Sequence, residues 1–160
     1  IVPLIITAAG MFFFYARINL VYSFTGIILA HVALATPFVV ITVTATLVGF
    51  DMNMVKASQS LGARPVRTFF KVIMPLILPG VISGALFAFI TSFDEVVIVM
   101  FMASLDQLTI PNQMWAGIRQ EISPVILCMA TCLVVLSILL LTTVELLRRR
   151  SEKLRGITSR

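Results

Sequence analysis

The sequence predicts an all-α, polytopic bundle of transmembrane helices, and three observations carry that expectation. Of 160 residues, 59% are hydrophobic and 12% charged, against roughly 45–50% and about 25% in soluble domains. The apolar residues gather in long runs without the strict alternation of barrel strands, which are about 10 residues long. The basic residues cluster between or beside those runs. Lys56, Arg64, Arg67 and Lys71 form one group; Arg148, Arg149, Arg150, Lys153, Arg155 and Arg160 form another. The net charge of +5 would suit nucleic acid, but basic clusters flanking apolar runs follow the positive-inside pattern. A lipid bilayer is therefore the expected partner, and nucleic acid is not.

The first run, "IVPLIITAAGMFFFYA", is slightly short for a span of about 20 residues. It lacks a basic n-region and a small-residue cleavage site, which argues against a signal peptide. With no initial Met, the chain is expected to be the C-terminal part of a longer one. The stretch from Leu20 to Phe50 has no formally charged residue besides the titratable His31. Its span is placed at about Gly26 to Val48, entered through the turn "RINLVYS". A third run extends from Leu76 to Leu105, interrupted only by Asp94 and Glu95. The polar stretch Asp106 to Ser123 follows, then a last run from Pro124 to Leu147 that ends in "RRR". This gives about four spans in a single membrane domain over residues 1–160.

The two basic clusters are separated by two spans, so both belong on the cytoplasmic side. The Arg17 turn and the Asp106–Ser123 stretch then face outward. Arg148, Arg149 and Arg150 fix the topology against the anionic inner leaflet.

The loop over residues 51–75 reads as a short helix, a turn and a second helix. Lys56 to Leu61 contains good helix formers, and Gly62 supplies the left-handed conformation that ends a helix. Pro65 suits a first helical turn, and Val66, Phe69, Phe70 and Ile73 supply an apolar stripe. Pro75 and Pro79 should break or kink the chain as it enters the membrane. An ordinary interfacial loop with basic anchors is the plainer alternative.

"KASQSLGARPVRTFFKVIMP" resembles the cytoplasmic EAA loop of permease subunits of binding-protein-dependent ABC importers. Ala57, Gly62, Val72 and Pro75 keep the family register, with Met74 at the usual Leu position. Lys56 stands where the family usually has Glu, and Ser58 where it has a second Ala. "LPGVISGALFAFITSFDEVVIVMFM", "ATPFVVITVTATLVGFD" and "ISPVILCMATCLVVLSILLL" are similar to the fifth, fourth and sixth helices of the second permease subunit of spermidine/putrescine importers. The likeness covers nearly the whole chain. It implies the type I permease fold, with two N-terminal spans missing here, in a bacterial cytoplasmic (inner) membrane.

The resemblance also implies partners: a second permease subunit in a heterodimer, two ATP-binding subunits and an extracytoplasmic substrate-binding protein. Lys56, Ala57, Ser58, Leu61, Gly62, Ala63 and Arg64 would contact the ATPase. The implied activity is alternating-access import of polyamines. No phosphate-cradling "GxxxxGK" occurs, so ATP and Mg are expected in the partner ATPase and no cofactor in this chain. No metal-ligand or nucleophile–base constellation is visible, and the chain is not expected to be an enzyme. An importer for another solute, or a channel or scaffold not coupled to ATP, is the alternative function.

Asp94 and Glu95 are the most expensive residues in the sequence. A charge near the bilayer centre costs about 2.5–3.5 kcal/mol on insertion scales. In a continuous helix the two acids point about 100° apart. One reading is that they attract and pass a cation, since a carboxylate offers each ammonium a charge-assisted hydrogen bond. The other is that an acid pairs with a neighbouring helix or caps a local bend. Phe87 and Thr91 would share the face of Asp94 and line the same path. His31 is expected to be a packed, hydrogen-bonded ring, Cys128 and Cys132 packing residues, and Trp115 an interfacial anchor. Asp106 and Glu121 are loop charges open to a cation or to a binding protein.

Overall fold

The computed structural model describes residues 3–120 and 123–154. Among them every regular element is helical: α1 (Leu4–Arg17), α2 (Phe24–Val48), α3 (Met52–Ser60), α4 (Pro65–Thr68), a π-helical turn (Phe69–Ile73), α5 (Met74–Phe93), α6 (Val97–Met102), a 3-10 turn (Leu105–Gln107), α7 (Ile110–Gln120) and α8 (Pro124–Leu154). Three stretches are long and apolar enough to cross a membrane: Phe24–Val48, Pro65–Phe93 and Pro124–Thr143. The helix of the first run has 14 residues, about 21 Å at 1.5 Å per residue. That is shorter than a hydrocarbon core of about 30 Å. The expected four runs thus become three full-length helices and one shorter apolar helix.

The chain forms two packing units. One contains the residues up to Leu34 together with those from Ile90 onward; the other is Ala35–Phe89. In the first unit, α1 packs on α6. Ala8, Tyr15, Ile27, Ala30, Ile98 and Met102 form its buried core. Asn19 ends α1 in the left-handed conformation at φ 55°. The Asn19 and Leu20 N–H groups donate to the carbonyls of Ala16 (3.4 Å) and Tyr15 (2.9 Å), closing the helix as a Schellman turn. The following turn is pinned to the end of α6: the Tyr22 N–H donates to the Met102 carbonyl at 2.9 Å, and Gln107 Nε2 donates to the Tyr22 carbonyl at 3.1 Å.

The stretch read as a polar loop contains α7. It meets α8 at Gly117, where a methyl group would lie 2.7 Å from Ile126 Cδ1. Asn112 is buried on α7, while Trp115 and Ile118 are exposed. On α8, Cys128 and Cys132 are both exposed. The expected packing role is therefore not met inside this chain, and the thiols are open to lipid or to another chain.

In the second unit, α5 approaches α2 through Gly80 and Gly84. A methyl on Gly80 would collide with the Thr46 hydroxyl, and one on Gly84 would lie 3.0 Å from Val39 Cα. The segment "GVISG" is thus a small-xxx-small contact that lets two backbones approach. Thr42 and Thr46 stay satisfied there, because their hydroxyls donate to carbonyls of their own helix.

Pro75 and Pro79 lie inside the continuous Pro65–Phe93 helix and do not break it. Pro75 has no N–H to offer the carbonyl four residues back, that of Lys71. The π turn Phe69–Ile73 occupies this place, and the Met74 N–H reaches the Phe69 carbonyl, five residues back. The wider turn absorbs the missing donor.

Candidate functional site

The polar loop folds as a hairpin of helices with an open tip. Asp51 caps α3, accepting the Asn53 N–H at 2.9 Å, so the helix starts at Met52 rather than near Lys56. Gly62 has φ +79°. The Gly62 N–H donates to the Gln59 carbonyl at 2.9 Å and the Ala63 N–H to that of Ser58 at 3.1 Å. This is the Schellman pattern, and it fulfils the glycine expectation. Pro65 then opens α4 behind an extended Arg64.

Lys56, Ala57, Leu61, Gly62 and Arg64 are exposed and Ala63 is half-buried. Leu61, 88% exposed, projects an apolar side chain at the tip. Ser58 differs from its neighbours. Its hydroxyl donates to the Val55 carbonyl at 2.8 Å and lies 3.0 Å from Thr68 Oγ1. Thr68 is 2% exposed. Ser58 therefore ties the two arms together from within. Val66 and Phe70 are exposed, so much of the apolar stripe is not covered by this chain.

The two acids do not share a continuous helix. α5 ends at Phe93 and α6 begins at Val97. The Asp94 N–H closes the last turn on the Ile90 carbonyl at 3.3 Å. Asp94 is exposed, whereas Glu95 is 6% exposed. Glu95 Oε1 accepts the Ile98 N–H at 2.8 Å, which caps the restarted helix. Both acids thus lie in the break between α5 and α6, and of the two readings, capping a local bend describes Glu95.

Side chains from two other helices hold this bend. His31 Nδ1 on α2 lies 2.8 Å from the Ser92 hydroxyl, so the expected hydrogen-bonded ring is present. Asn112 Nδ2 on α7 donates to the Val96 carbonyl at 3.3 Å. The sequence reading missed Asn112 and Ser92. The signal for Asn112 was a buried amide within the helical period of "IPNQMWAGIRQ". Thr91 is half-buried one turn before Asp94, and Phe87 is exposed on α5 within the other unit. Asp106 is exposed in the 3-10 turn; Glu121 lies outside the described residues. Among the described residues, no three His, Cys, Asp or Glu side chains gather to hold a metal ion.

The family described as "Binding-protein-dependent transport system inner membrane component" matches residues 1–153. This chain belongs to that family. It is thus an inner-membrane transport component, in keeping with its long apolar helices. The chain is 32% identical over 150 residues to the spermidine/putrescine transport system permease protein PotC of Haemophilus influenzae. That alignment covers 94% of this chain and 58% of the relative. It is 30% identical over 151 residues to PotC of Escherichia coli, covering 94% of this chain and 57% of the relative. The putrescine transport system permease protein PotI of Escherichia coli is 35% identical over 103 residues, which are 64% of this chain and 37% of that protein. This inner-membrane component therefore spans little more than half the length of the PotC relatives it matches.

Proposed function

We propose that this chain is part of a permease subunit of an ATP-driven importer that carries polyamines into the cytoplasm by alternating access. The observation that carries the reading is the exposed hairpin α3–Gly62–α4, which runs without a helical break into the span Pro65–Phe93. A push on the Leu61 tip is transmitted to that span through a rigid turn and the Ser58–Thr68 tie. ATP and Mg belong to two partner ATP-binding subunits; this chain supplies the docking surface. A second permease subunit completes the pathway, and an extracytoplasmic binding protein delivers the solute. The names of the relatives support spermidine or putrescine as the cargo, and the acids at the bend suit a cation. Asp94, Glu95, Thr91 and Phe87 remain the proposed pathway residues.

The test is reconstitution of the full-length permease with its partner subunits and binding protein in proteoliposomes. ATP-dependent uptake of labelled spermidine or putrescine is the expected result. Uptake that ignores ATP would favour a channel, and retention of an unrelated solute by the binding protein would replace the polyamine.

A further inference from the structure

His31 carries one nitrogen that the fold uses and one that it does not. Nδ1 lies 2.8 Å from the Ser92 hydroxyl. Nε2 is buried and has no hydrogen-bond partner, an uncommon state for a buried polar atom. Glu95, 6% exposed, follows Ser92 by three residues, and its charge reaches the imidazole. One Glu95 oxygen is engaged by the Ile98 N–H. Among the described residues no cation pairs with this carboxylate. His31, Ser92 and Glu95 all lie in the same packing unit.

We propose that His31 contacts the transported cation: Nε2 accepts a hydrogen bond from an alkylammonium group whose charge is met by Glu95. The inference rests on the cation-importer reading above. With Nδ1 protonated and donating to Ser92 Oγ, Nε2 presents a lone pair. A buried carboxylate and an imidazole lone pair make an acceptor-only site that repels anions and leaves an uncharged donor with half of the site's demand unmet. A primary ammonium has several N–H donors on one positive nitrogen, so it satisfies both groups at once. A metal ion fits less well, since no third ligand joins them among the described residues. Ser92 is the positioning residue: it fixes the ring and thereby the direction of Nε2.

Two amide substitutions separate the nitrogens, because an Asn amide falls near Nδ1 and a Gln amide near Nε2. The full-length complex is reconstituted with its partners, and spermidine uptake is measured per assembled complex. His31→Asn keeps the Ser92 contact and loses the acceptor, so KM should rise about tenfold or more, as expected for a hydrogen bond to a charged group. His31→Gln restores an acceptor, and KM should stay within about threefold of the unmodified complex. Ser92→Ala keeps Nε2 but frees the ring, and KM should rise more than about threefold. Unchanged KM in His31→Asn, or equal impairment of the Asn and Gln variants, overturns the proposal. If His31→Asn does not assemble, an unchanged KM in Ser92→Ala overturns it. An unmodified complex that imports neither spermidine nor putrescine instead removes the polyamine reading. The same comparison is then made with whichever amine its binding protein retains, and retention of no amine overturns the inference as well.

Discussion

The Ser58 and Thr68 hydroxyls lie 3.0 Å apart and join the two arms of the α3–Gly62–α4 hairpin. The pair is unequal. Ser58 also donates to the Val55 carbonyl, whereas Thr68 is 2% exposed and depends on Ser58. Ser58→Ala should leave a buried hydroxyl unsatisfied, at a cost of about 1–3 kcal/mol. Thr68→Val removes that hydroxyl and should cost less, about 1 kcal/mol. The double variant should resemble Thr68→Val alone. Thermal unfolding of the purified complex reads all three, and additive losses would show that the two hydroxyls act independently.

Gly62 has open space around it: a methyl group there would meet no heavy atom within 4 Å. Its constraint is conformational, since φ is +79°. Gly62→Val should cost about 1–2 kcal/mol and misdirect Leu61. More ATP should then be hydrolysed per substrate imported, while Gly62→Asn should be tolerated better because Asn visits this region. Normal coupling in Gly62→Val would show that the turn does not set the docking geometry.

At Gly80 and Gly84 the constraint is space. A methyl group at either position meets a threonine of α2. Gly80→Ala and Gly84→Ala should therefore lower the melting temperature of the complex, as expected for overpacking of about 1–3 kcal/mol. Thr46→Ala should partly rescue Gly80→Ala, because it removes the hydroxyl that the new methyl strikes. No rescue, or no loss in either single variant, would mean that α2 and α5 do not meet at this contact.

These three cases also mark what was legible in the sequence. The hairpin was readable because Gly62 and Pro65 act locally: each fixes its own backbone angles, whatever surrounds it. The long apolar runs were readable because bilayer thickness imposes a length. The bend after Phe93 was readable only as one alternative for the acids, since "SFDEVV" has no glycine or proline to mark it and the bend depends on the Glu95 cap and on His31 and Asn112 reaching Ser92 and Val96 from other helices. The α2–α5 contact was missed because "GVISG" looks like any apolar segment until Thr42 and Thr46 are opposite it. Pro75 misled for the converse reason, as a π turn upstream kept the helix continuous.

The membrane orientation expected from the charge clusters has a direct test. Ser60 and Gln113 are both exposed, on α3 and α7. A cysteine at Ser60 should react only with an impermeant thiol reagent applied from the cytoplasm, and one at Gln113 only from outside. Ser151→Cys should follow Ser60. Cys128 and Cys132 must be replaced first, since both are exposed. Labelling of Ser60 and Gln113 from one side would overturn the assignment of an odd number of crossings between them.

The acids at the bend allow structure and transport to be separated. Glu95→Gln keeps an oxygen for the Ile98 N–H, so the cap on α6 survives while the charge is lost. Glu95→Ala removes both, and loss of a helix cap typically costs about 0.5–2 kcal/mol. Glu95→Gln should therefore assemble normally but import polyamine roughly ten- to a hundredfold less well, from a lost charged hydrogen bond of about 1.5–3 kcal/mol at 1.4 kcal/mol per decade. Glu95→Ala should fall in both thermal stability and uptake. Asp94 is exposed and its N–H, not its carboxylate, closes α5, so Asp94→Asn should leave stability unchanged and reveal any effect on the pathway alone. Substrate binding to the isolated binding protein should be the same throughout. Uptake at the unmodified rate in Glu95→Gln, Asp94→Asn and the double variant would leave Glu95 as a helix cap and remove both acids from the pathway.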